Sequence, residues 1–69
     1  MTADIVPQAE VARHLAESRW KCIKVKDYAK HALWRTEHGY YFTVPHECSR
    51  ADFADITTDI EQHGRKRNI

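Results

Sequence analysis

The stretch from His31 to Pro45 constrains this chain more than any other. It reads His31-Ala32-Leu33-Trp34-Arg35, then Thr36-Glu37-His38-Gly39, then Tyr40-Tyr41-Phe42-Thr43-Val44-Pro45. Aromatic and β-branched residues crowd both ends of a polar middle, which is the pattern of a β-hairpin. Gly39 supplies the positive φ that a short hairpin turn demands. Pro45 has no N–H to give to a ladder, so it ends the second strand.

The segments on either side extend this hairpin. In Trp20 to Lys26, Ile23 and Val25 alternate with Lys24 and Lys26, which predicts a half-buried strand with a lysine-lined outer face. Asp27 to Lys30 is the turn. With strands at His31–Arg35 and Tyr40–Val44, the connections are too short for crossovers, and the sheet is an antiparallel meander. Ala32 and Trp34 are expected inward, because the other register would bury Arg35 without a partner. Phe42, with Tyr40 and Val44, gives strand three its core face.

A helix is predicted over Pro7 to Ser18, with Ala9, Ala12 and Ala16 on one face near Val11 and Leu15. A second helix begins at Ser49, whose side chain with Asp52 resembles a capping box. Phe53, Ile56 and Ile60 form its apolar stripe, Asp52, Asp55 and Asp59 run beside them, and Gly64 stops it. The fold class is α+β in the order α-β-β-β-α, a three-stranded antiparallel sheet with both helices on one face. Leu15, Ile23, Val25, Phe42, Phe53, Ile56 and Ile60 are the expected core. The other sheet face is open.

At 69 residues the chain is one small domain, 1–69, burying only about 60% of its unfolded surface. The ordered core is expected at about 7–63. Met1 to Val6 is patternless and expected to fray, and the basic tail 65–69 is expected to be loose. No run is long and apolar enough to span a membrane, and the N-terminus lacks a signal-peptide pattern, so a cytoplasmic protein with no membrane partner is expected. Cys22 and Cys48 are then free thiols. The formal net charge is only +1, but it is segregated. Arg19, Lys21, Lys24, Lys26, Lys30 and Arg35 lie together, and acidic residues load the C-terminal part.

Element order and hairpin together resemble the HicA family of bacterial toxins, small mRNA interferases with a fold like the double-stranded-RNA-binding domain. His31 stands where the family places a histidine at the start of strand two. Leu33-Trp34-Arg35, Gly39 in the turn and Phe42-Thr43-Val44-Pro45 follow at the family's spacing. Ala29-Lys30 stand where the family has Gly-Ser, and the second helix is acidic where the family's is basic.

The resemblance implies an endoribonuclease with His31 as the catalytic residue. Metal-independent RNA cleavage needs a base for the 2′-OH proton and an acid for the leaving oxygen, and imidazole serves either step near neutral pH. Arg35, four residues on, is expected near His31 at the scissile phosphate. Lys24, Lys26 and Lys30 are expected to hold flanking phosphates, and Tyr41 is the aromatic expected to stack a base. The implied partners are mRNA and a HicB-like antitoxin that covers His31; no cofactor and no metal are called for. His38 and His46 read as turn and loop residues, since with Cys48 their spacing matches no zinc pattern. The competing reading is a non-catalytic nucleic-acid- or protein-binding module on the same fold, acting through the open sheet face or the acidic helix.

Overall fold

A computed structural model describes residues 4–68. Its elements are α1 (Gln8–Glu17), β1 (Ile23–Asp27), β2 (His31–Arg35), β3 (Tyr41–Pro45) and α2 (Arg50–His63). The strands form one antiparallel sheet in the order β1-β2-β3. This is the α-β-β-β-α order expected, with most boundaries within one residue of those read from the sequence; β1 starts at Ile23, three residues after the expected Trp20.

Alternation along β2 and β3 sets the layers. Ala32, Trp34, Phe42 and Val44 are buried, and they pack with Val11 and Leu15 of α1 and Ile60 of α2. Both helices therefore cover the same face. His31, Leu33, Arg35, Tyr41 and Thr43 point the other way, because cross-strand partners share a face.

Helix α1 starts after Pro7 and buries Val11 and Leu15, one helical turn apart. Ala12 is partly buried, whereas Ala9 and Ala16 are exposed. The alanine face expected against the sheet is thus displaced toward the larger Val and Leu, which remove more apolar surface from water. Lys21 takes a left-handed φ of 51° and turns the chain into β1. Helix α2 begins as its cap predicts, with the Asp52 N–H donating to Ser49 Oγ at 3.1 Å. Ile60 is buried, while Phe53 and Ile56 are half-buried at the margin of the core.

Two expectations about burial are corrected. Ile23 and Val25 are 49% and 45% exposed. A β-bulge between Lys24 and Lys26 breaks the alternation, so that Lys24 pairs with Trp34 and Lys26 with Leu33. Lys24 and Lys26 consequently lie on opposite faces. The inward places near the start of β1 are taken by Trp20 and Cys22.

The chain ends are also more tied down than the sequence suggests. Of the stretch expected to fray, Met1 to Ala3 lie outside the described residues, as does Ile69 of the tail. Ile5 bridges Ser49, Val6 is fully buried, and the Val6 N–H donates to the Cys48 carbonyl at 2.8 Å. At the other end, the Asn68 side-chain amide donates to the Tyr41 carbonyl and accepts from the Tyr41 N–H, each at 2.8 Å.

Candidate nucleic-acid interface

His31 opens β2 on the uncovered face, where its ring is exposed. The preceding turn fixes its place. The Tyr28 N–H donates to the His31 carbonyl at 2.8 Å, and the His46 N–H donates to the Lys30 carbonyl at 3.0 Å. The His46 ring braces the same turn, with Nε2 at 2.8 Å from the Tyr28 carbonyl. His46, expected to be a plain loop residue, thus has a structural task. Among the described residues none hydrogen-bonds the His31 ring; its contact is a stack on Tyr28, with centroids 4.9 Å apart and planes at 26°.

Tyr28 was not picked out by the sequence reading. Its signal was a large aromatic inside an otherwise polar turn. It is 43% exposed, and Lys26 Nζ stands 5.3 Å from its ring centroid, within cation–π range. Lys26, Tyr28 and His31 therefore gather at one end of the open face, while Lys30, also exposed, lies in the turn beside Pro45, His46 and Glu47.

Two expected members of the site are elsewhere. Lys24 belongs to the helix-covered side, at its margin, and its Nζ pairs with Asp27 at 3.1 Å. Arg35 is on the open face, but four residues of extended strand put its Cα about 13 Å from that of His31. Its Nη1 donates to the Thr36 carbonyl at 3.1 Å, toward the far end of the strand. Arg35 and His31 do not form one cluster. Tyr41 pairs with Arg35 across the ladder and is half-buried.

The aspartates of α2 do not form one solvated face. Asp52 and Asp55 are exposed, whereas Asp59 accepts a hydrogen bond from the Tyr40 hydroxyl at 2.5 Å and faces His63 at 3.9 Å. That bond is the main reason the Tyr40 phenol is pushed up to about 12, with burial and the Asp59 charge adding to it. Burial raises the thiols of Cys22 and Cys48, the Asp52 charge adding at Cys48 and a Ser18 hydrogen bond opposing at Cys22. Both cysteines are free. No group of three or more metal-ligating side chains is assembled among the described residues, and no described helix is long and apolar enough to cross a membrane.

Fold and site together define an α+β domain whose uncovered sheet face carries aromatic and cationic side chains around one exposed histidine. No family model, curated protein or solved structure matches the chain.

Proposed function

We propose that the protein is a toxin-type endoribonuclease that cleaves mRNA with His31 as its acid–base group. The observation that carries this reading is the His31 ring: exposed, without a hydrogen bond from the described residues, and stacked on Tyr28, whose ring Lys26 also approaches. The hairpin's resemblance to the HicA family supports it as well. His31 takes the proton of a 2′-OH, the freed oxygen attacks the adjacent phosphorus, and the P–O5′ bond breaks to leave a 2′,3′-cyclic phosphate. The protonated imidazole then returns its proton to the departing 5′ oxygen. Lys26 and Lys30 hold phosphates on either side, and Tyr28 offers its face to a base. A HicB-like antitoxin would silence the enzyme by covering this end of the sheet. The two buried free thiols favour a cytoplasmic, reducing setting.

A short single-stranded RNA incubated with the purified protein in a chelator tests this. His31→Ala is expected to lower the cleavage rate by roughly 10²-fold or more with an unchanged thermal midpoint, since the ring lies outside the core. A 2′-deoxy substrate should remain intact. Cleavage that persists in His31→Ala removes the assignment.

The second reading, a non-catalytic RNA-binding module, is favoured by one observation: Arg35 faces away from His31 and leaves the reacting phosphate without a guanidinium. RNA binding by the wild type without cleavage would select it.

A further inference from the structure

Lys24, Asp27 and His46 meet behind the turn that carries His31. Lys24 and Asp27 pair with Trp34 and Ala32, so both lie on the helix-covered side, and His46 borders the same small cavity under the start of α1. Asp27 stands between the other two. Its Oδ2 takes the Lys24 ammonium at 3.1 Å, and its Oδ1 is 4.0 Å from His46 Nε2. That nitrogen is 2.8 Å from the Tyr28 carbonyl. A carbonyl only accepts, so Nε2 carries the hydrogen and donates it. The Tyr28 N–H reaches the His31 carbonyl, but among the described residues no backbone N–H reaches the Tyr28 carbonyl in return. The His46 ring supplies that missing half of the turn. Its own main chain is held on both sides, by the Lys30 carbonyl at 3.0 Å and the Gln8 side-chain amide at 3.3 Å.

We propose that His46 is the positioning residue of the His31 site: its ring fixes the Tyr28 main chain and, through the Tyr28 ring, the orientation of the His31 imidazole. Asp27, anchored by Lys24, keeps the His46 ring turned to the Tyr28 carbonyl. The inference rests on the reading of His31 as the acid–base group. Among the described residues the His31 ring takes no hydrogen bond, so the Tyr28 stack, with centroids 4.9 Å apart, is what orients it. Proton transfer needs the imidazole nitrogen within hydrogen-bond reach of the 2′-OH, and a small drift of the turn is enough to lose it.

The test reads His31 by the NMR signals of its ring protons, assigned by their loss in His31→Ala. The stacked Tyr28 face displaces these signals upfield, and Tyr28→Leu gives their position without it. His46→Phe fills the space but has no donor. It is expected to move the His31 signals toward those of Tyr28→Leu, and to lower kcat on a single-stranded RNA roughly tenfold to a hundredfold with KM little changed. His46→Gln, whose amide donates to the same carbonyl, should restore both. Asp27→Asn should move the signals part of the way, and it carries the test if His46→Phe does not fold. Wild-type signals in these variants, or displaced signals with an undiminished kcat, would overturn the proposal and leave His46 a stabilising residue alone. The expected displacement in a protein that never cleaves RNA would uphold the positioning and remove the reading of His31 as an acid–base group.

Discussion

Thr36 is fully buried, the one polar residue in the core among those described. Its hydroxyl donates to the Gly64 carbonyl at 2.7 Å and accepts from the Tyr40 N–H at 3.2 Å, so a single side chain ties the hairpin turn to the end of α2. Thr36→Val keeps the shape and leaves both backbone groups without this partner. The expected loss is about 1–3 kcal/mol in urea denaturation, with Thr36→Ser retaining most of the stability. Nearby, Tyr40 gives the fold a pH dependence. Its phenol rises from 10.0 to about 12 on folding, so the neutral form stabilises the native state. That contribution is full below the unfolded value and is lost as pH climbs through the folded one. Tyr40→Phe should therefore be less stable than wild type at neutral pH by about 1 kcal/mol. The gap should close between pH 10 and 12 in thermal melts, and a gap independent of pH would disprove the Asp59 bond as its cause.

Among the elements, α2 divides its apolar stripe unequally. Ile60 is 3% exposed, and Ile60→Ala is expected to cost about 2–5 kcal/mol. Phe53 is half-buried, its ring edge-on to His14 with centroids 5.0 Å apart. Phe53→Ala should cost well under the ~3–5 kcal/mol of a fully buried Phe, and equal losses in the two variants would contradict this ranking. The central hairpin was legible in the sequence because its alternation, its glycine and its proline all state the same register. His31–Arg35 was read to the residue, and the Ser49 cap was found from its own chemistry. Strand β1 was misread because a bulge leaves no mark in an alternating Ile-Lys-Val-Lys pattern; every other residue still looks apolar. Lys21 adopts its left-handed turn without the glycine that would have announced it. Gly64 does end α2, but in a right-handed conformation, at φ −58°, and not in the left-handed one that a glycine at this place suggests. A Cβ there would lie 3.0 Å from Trp20 Cδ2 and 2.5 Å from the Ile60 carbonyl oxygen, and close approach of this kind is invisible in one dimension. Of the site, His31 and Lys26 are readable in the sequence, whereas Tyr28 owes its place to the turn before β2.

In the whole molecule, the buried thiols report on how often so small a core opens. Cys22 lies between α1 and β1, Cys48 just before α2, and burial raises both. An aromatic disulfide reagent at neutral pH is expected to leave the native protein almost unlabelled, with both thiols reacting along the urea unfolding curve. Rapid reaction of either in the native protein would show that its end of the core opens alone. The sheet itself has two edges, and each is unsuited to receiving another strand. On β1 the bulge and the lysines around it spoil a flat pairing surface beside exposed Ile23 and Val25. On β3 the Asn68 amide already occupies the outward backbone groups of Tyr41, and Pro45 has no N–H to offer. Edges blunted in these ways resist templated growth into fibrils, so one sheet face stays uncovered without either edge offering a ready template to a further strand.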